Sequence, residues 1–191
     1  MTTVSTAAEL IAALRNADDG TELELLPGAY QERLNPGKSV FLRAADGRKG
    51  VRLLGDDGPV LVVQEDDIRV TVAGVVIRGG HDQSGGGVQV HGFSDVVLRD
   101  CELAGNRAGD GPGGALAVTA GTVTLQGCTV ADNAAVGGSA LLVSEVGTLK
   151  VWDSDVKADA GSGHGAIAVR GGAELRVVNS RINGGDGAAI H

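Results

Sequence analysis

The chain has 191 residues, with 32 glycines, one Trp, one Tyr, two Phe and a net charge of −8, a length that suits one domain. The acidic balance carries no basic stripe able to displace counterions, which excludes nucleic acid and anionic membrane as partners. No stretch approaches the roughly 18 apolar residues a membrane span needs, and a hydrophobic fraction of 42% excludes a low-complexity chain.

The N-terminal MTTVSTAAEL has neither a basic n-region nor an apolar h-region, so a cytoplasmic location is expected. Residues 5–19 predict the one helix. Thr6 and Glu9 form a T-x-x-E capping box, Leu10, Ile11 and Leu14 make one apolar face, and Gly20 stops it. Placed there, the helix covers the open edge of the first rung of a sheet. TELELLPGAYQERL then starts that rung, with Leu23 and Leu25 inward, and SVFLRAADGRKGVRLLG forms a second, shorter one.

From residue 61 onward the chain repeats with a step of 26 or 27. One register runs Val70/Val72, Val96/Leu98, Val123/Leu125, Leu149/Val151 and Leu175/Val177. A second runs Val75–Ile77, Cys101–Leu103, Cys128–Val130, Ser154–Val156 and Ser180–Ile182. A third, looser register with steps of 25 to 28 runs Leu61/Val63, Val88/Val90, Leu116/Val118, Leu141/Val143 and Ile167/Val169. Each inward pair alternates with polar or small residues, the period-2 mark of a half-buried strand. Gly, Asn and Asp fill the connections, where left-handed backbone is needed. Three short strands per period, stacked at about 4.8 Å, predict a parallel solenoid of about seven rungs over residues 21–191. Leucine-rich and five-residue repeats do not fit, because Val outnumbers Leu and no fixed Asn-Leu pattern or five-residue period is present.

Cys101 and Cys128 fall on adjacent rungs with Cα atoms about 5 Å apart, within disulfide reach. The row continues as Ser154 and Ser180, so the pair is read as two small buried thiols in a ladder. The loops 78–86 and 104–114 follow the same strand on adjacent rungs and should lie side by side, bringing His81, Asp82, Asn106, Arg107 and Asp110 to one surface. The ladder Asn106–Asn133 is read first as satisfying loop backbone. Trp152 sits in a row between Gln126 and Val178, beside Lys150 and Arg176, and this trio is a second candidate anchor, with a Trp covering a corner as the equal alternative. DGAAIH (186–191) opens one more rung beside HGAIAV (164–169), and no helix or polar cap follows it in the sequence. A longer chain, a partner or second copy, and fraying or folding back are all left open there.

Residues 4–34, with a short helix followed by DG-T-x-L-x-L-x-PG-x-Y, resemble the N-terminal cap and first coil of pectin-lyase-like right-handed β-helix proteins. The later V-x-L-x-x-C-x-V units are similar to their repeats, so the resemblance spans nearly the whole chain. It implies an all-β, right-handed parallel β-helix with an N-terminal capping helix, a handedness that the crossover rule also favours. The family contains lyases, hydrolases, epimerases, adhesins and non-enzymatic binding domains, so activity rests on sites.

Gly163-His164-Gly165 resembles the G-H-G of polygalacturonases, and Arg181-Ile182-Asn183 part of their R-I-K. Such hydrolases need clustered aspartates. The positions stacked on His164 are Gly138 and Ser139, then Gly113 and Gly114, and Arg181 lies 17 residues away, less than a rung. His164 is read as a surface turn residue. Val151–Asp155 shares little with the V-W-I-D-H segment of pectate lyases, and the His is missing. The rows Glu102, Thr129, Asp155, Arg181 and Asn106, Asn133, Asp159, Gly185 do not concentrate the oxygens calcium requires. No catalytic residue, metal or cofactor is assigned. The expected function is a non-enzymatic binding or scaffold module within a larger protein or homo-oligomer, with a protein partner or a second copy at the C-terminal rung. The alternative is a carbohydrate-active enzyme, a polysaccharide lyase or glycoside hydrolase, with a polysaccharide as ligand.

Overall fold

The computed structural model describes residues 1–47, 50–135, 140–158, 165–185 and 188–191. All strand pairing within it is parallel. An eight-stranded sheet contains Thr2–Val4, Thr21–Leu25, Val40–Ala44, Arg69–Ala73, Asp95–Arg99, Thr122–Gln126, Thr148–Trp152 and Glu174–Val178. A seven-stranded sheet contains Gly28–Gln31, Val51–Leu54, Val76–Arg78, Glu102–Ala104, Thr129–Ala131, Asp155–Lys157 and Arg181–Asn183. A five-stranded sheet contains Leu61–Val63, Val88–Val90, Leu116–Val118, Leu141–Val143 and Ile167–Val169. The first and last passes reach this third sheet only through the bridges Leu34–Leu61 and Ile167–Ile190. The chain therefore passes seven times through the seven-stranded sheet and completes about six turns. The last bridge is the rung opening expected beside residues 164–169.

All three predicted registers are the observed ones. Val70 pairs with Val96, Leu103 with Ile77 and Val130, and Val88 with Leu61 and Leu116. The inward aliphatic side chains of these pairs are 0–1% exposed along the middle turns. Burial of these aliphatic side chains is the main drive, at about 1.5–3 kcal/mol for each side chain taken from water. The corner between the first two sheets repeats a left-handed residue at every turn. Gly74, Asp100, Gly127, Asp153 and Asn179 have φ of 71°, 52°, 63°, 50° and 48°. Gly, Asn and Asp are the residues that reach this region at least cost, so the corner chooses its own composition.

The next position in each corner is Val75, Cys101, Cys128, Ser154 and Ser180, and the last four reach a carbonyl on the previous rung. Cys101 Sγ is 3.4 Å from the Val72 carbonyl oxygen and Cys128 Sγ 3.2 Å from that of Leu98. Ser154 Oγ accepts from Cys128 N at 3.0 Å, and Ser180 Oγ accepts from Ser154 N at 3.1 Å. Both thiols are free and buried, as the ladder reading expects. Contact with Cys128, and then burial, raise the Cys101 thiol well above its ordinary range.

Four expectations at the N-terminus need correction. The helix is Ala7–Arg15, shorter than 5–19. Asn16 ends it, its backbone N–H donating to the Ala12 and Leu14 carbonyls, while Gly20 (φ 83°) serves the turn into the next strand. Thr6 Oγ1 accepts from Glu9 N at 3.2 Å, but the Glu9 carboxylate passes Thr6 and accepts from Ser5 N at 2.7 Å and Ser5 Oγ at 2.8 Å. The edge of the eight-stranded sheet is covered by a strand the sequence did not announce, Thr2–Val4, paired with Leu23–Leu25. Three residues are too few to show alternation. The helix instead packs Leu10 and Leu14 into the core at the first turn.

Candidate functional site

Two surfaces were expected to carry function. In the first, His81–Asp82 and Arg107–Ala108 form, with Ala134–Ala135, a small three-stranded parallel sheet. His81 lies in register with Arg107, and Asp82 with Ala108, so the two loops do run side by side. His81, Arg107 and Asp110 are exposed and Asp82 half-buried. Asn106 does not belong with them: it is 1% exposed. Its Oδ1 accepts from Gly80 N at 3.1 Å, and its Nδ2 donates to the Ile77 carbonyl and to Asn133 Oδ1, both at 3.0 Å. A buried amide must be satisfied, and the loop backbone satisfies it, which removes Asn106 from the binding candidates.

The same loops have a packing task. Outward from the five-stranded sheet, Ala117, Leu142 and Ala168 are 1%, 6% and 0% exposed and form a separate small cluster. A Cβ built on Gly85 would lie 2.8 Å from Ala117 Cβ, and one on Gly113 3.0 Å from Leu142 Cβ. The glycines therefore let the loops lie flat on that sheet. Asp82 is committed locally, its carboxylate accepting from Gln83 N at 2.6 Å and from Gln89 Nε2 at 2.9 Å.

The second surface is the outer face of the eight-stranded sheet. Trp152 is 36% exposed and lies between Gln126 and Val178, which is 49% exposed. Lys150 and Arg176 are neighbours in the adjacent row, continuing Thr124. The trio read from the sequence is thus together on one face. Arg176 is also held by Glu174, with Nη2 2.8 Å from Oε1.

That face carries more than the sequence reading found. Arg69 Nη2 is 3.0 Å from Asp95 Oδ2, and Arg99 Nε donates to Gln126 Oε1 at 3.2 Å. A shallow depression of about 500 Å³ runs beside Ser39, Asp67, Arg69, Phe93, Asp95 and Thr122. A second, of about 300 Å³, continues past Thr71, Val97, Arg99, Thr124 and Lys150, with Arg69, Asp95 and Thr122 shared between them. Phe93 is 63% exposed at the rim, its N–H bonded to Asp66 Oδ1 at 2.7 Å. Two signals were present in the sequence: an aromatic in the turn Gly92-Phe93-Ser94, and opposite charges one period apart at positions 69 and 95.

The acids needed for hydrolysis or calcium binding are not brought together. Glu102, Thr129, Asp155 and Arg181 do form one row, but Thr129 separates the two acids and Arg181 Nη1 lies 3.9 Å from Asp155 Oδ2. Among the described residues no group of three or more His, Cys, Asp or Glu is placed to hold a metal. His164, Asp159, Gly138 and Ser139 lie outside the described residues.

A single right-handed parallel β-helix with a capped first turn defines the class. The family model described as the right handed beta helix region matches residues 46–191, and the chain belongs to that family. Comparison with curated proteins finds no match. Among solved structures it is similar to pectin methylesterase PemA from Erwinia chrysanthemi, at 14% identity and a TM-score of 0.62 over 95% of this chain and 65% of that one. It is also similar to a pectin methylesterase in complex with a hexasaccharide, at 12% identity and a TM-score of 0.53 over 93% of this chain and 66% of that one. The chain thus spans about two thirds of the length of either. At such identities the likeness is one of fold, and it bears out the pectin-lyase-like resemblance.

Proposed function

We propose that the chain is a non-enzymatic, cytoplasmic binding or scaffold module, whose ligand or partner contacts the outer face of the eight-stranded sheet. One observation carries this reading. On that face Glu24 pairs with Arg43, Asp95 with Arg69 and Glu174 with Arg176, so each of these three carboxylates is engaged by a cation rather than poised to move a proton. Catalysis of glycoside cleavage uses two cooperating carboxylates, and here the stacked neighbours of Asp95 are Arg69 and Thr122. Binding asks less: an exposed Trp, cations and a rigid extended floor suffice.

A carbohydrate-active role is the second reading, favoured by the cationic line Arg99, Lys150 and Arg176 beside Trp152. The similar solved structures are pectin methylesterases, one of them holding a hexasaccharide. Pectin separates the two readings. Titrating it into the protein while assaying released methanol and unsaturated or shortened products should give binding at most, with no turnover. Turnover that disappears in a variant of this face would overturn the non-enzymatic reading.

A further inference from the structure

The cap holds a cavity that the sheet face does not explain. It measures about 430 Å³ and lies between the last turn of the helix Ala7–Arg15 and the loop that follows Gly28–Gln31. Ile11, Leu14 and Ala17 give it an apolar floor, and Arg15, Arg33 and Lys38 stand around it. No carboxylate lines it. Among the described residues none of these three cations has an ion pair within 4.0 Å. In a chain of net charge −8, three cations gathered on one apolar cavity are a local reversal.

The walls are fixed before any ligand arrives. Leu34 N donates to the Val60 carbonyl and Val62 N to the Leu34 carbonyl, holding one side. Gly20 N donates to the Ser39 carbonyl at 2.8 Å and Ser39 N to Asp19 Oδ1 at 3.0 Å, holding the other. Asp19 is the acid whose field reaches Lys38, and that hydrogen bond engages its carboxylate. The C-terminal end of the helix adds about half a negative charge, which opposes an anion, but three full positive charges outweigh it. Part of the helix-end charge is already met, because Asn16 Nδ2 donates to the Ala12 carbonyl at 2.9 Å. Like charges that line one cavity repel, and an anion placed among them relieves the repulsion.

We propose that this cavity binds a compact organic carboxylate, its apolar body on Ile11, Leu14 and Ala17 and its head among Arg15, Arg33 and Lys38. Arginine forks match carboxylate oxygens in pairs, and a 430 Å³ recess is within the range of small-ligand sites. The site shares no lining residue with the two depressions of the sheet face and stands or falls independently of them.

Calorimetric titration of the 191-residue chain with octanoate, octanol and acetate tests it. Octanoate should bind and raise the melting temperature, as a ligand of the folded state does. Octanol and acetate should each bind at least about tenfold more weakly, since one lacks the charge and the other the apolar body. The double variant Arg33→Ala/Lys38→Ala, checked for an unchanged circular dichroism spectrum, should lose about tenfold or more in octanoate affinity. Ile11→Ser offers a second variant that leaves all three cations in place, and it should weaken octanoate while leaving acetate unchanged. Octanol as tight as octanoate, acetate as tight as octanoate, or no octanoate binding at all would each overturn the proposal.

Discussion

Asn133 illustrates how one residue type can hold a loop or display a ligand site, and how burial decides between the two. It is 2% exposed. Its Oδ1 accepts from Asn106 N and Nδ2, both at 3.0 Å, and its Nδ2 donates to the Leu103 and Ala131 carbonyls at 2.7 and 2.8 Å. Asn133→Ala leaves a buried donor and carbonyls without partners and should cost about 2–4 kcal/mol in urea unfolding. Arg107→Ala, one residue past the ladder on an exposed edge, should change stability by less than about 0.5 kcal/mol. Equal effects from the two would contradict the division into a buried ladder and an exposed rim. The spacing of Asn106 and Asn133 was legible in the sequence, and so was their ladder role. Placing Asn106 on the surface with His81 and Arg107 failed because its amide turns inward to Gly80, Ile77 and Asn133, while the next residue, Arg107, stays exposed.

At the scale of elements, the helix and the three strand types follow from pattern, while the joints between them follow from hydrogen bonding. The Glu9 carboxyl is held below its ordinary range, first by the Ser5 N–H and then by the Ser5 hydroxyl. A depressed folded-state value means that this cap supports the helix above the ordinary carboxylate range and is lost as pH falls through the lowered value. Glu9→Gln should therefore produce a small drop in melting temperature at pH 7 and a smaller one at pH 3. The same drop at both would mean that the charge of Glu9 contributes nothing. The sequence named Thr6 and Glu9 as cap residues. It did not reveal that Glu9 reaches to Ser5, because Thr2–Val4 pairs with the next strand and sets the direction from which the chain enters the helix.

For the whole molecule, the two ends of the solenoid are unequal. Thr2–Val4 and the helix cover the first turn. At the other end, exposure climbs along single rows: Val151 is 0% exposed and its neighbour Val177 37%, while Ile167 is 0% and Ile190 43%. The edge of Glu174–Val178 is unpaired among the described residues. A second copy that meets the edge of Glu174–Val178 with the same edge of its own makes a two-fold, closed contact. Light scattering over a dilution series should then detect a dimer that dissociates, and Ile190→Lys should be monomeric throughout. A wild-type chain that is monomeric at every concentration would refute pairing of copies.

The sequence by itself determined the solenoid. A step of 26 or 27 residues in two registers, and a looser one in a third, can be read without coordinates, because stacked rungs require like residues at like positions, and each row reports on its neighbours. It also placed Trp152, Lys150 and Arg176 on one face, since register and alternation together fix which side chains share a surface. Only the tertiary structure decided what the irregular segments do. Loops carry no period, so nothing in 78–86 or 104–114 announces that their glycines lie against Ala117 and Leu142. The cavity of the cap was hidden for the same reason: it is made where the helix end meets the loop at residues 33–38, a junction that no period announces.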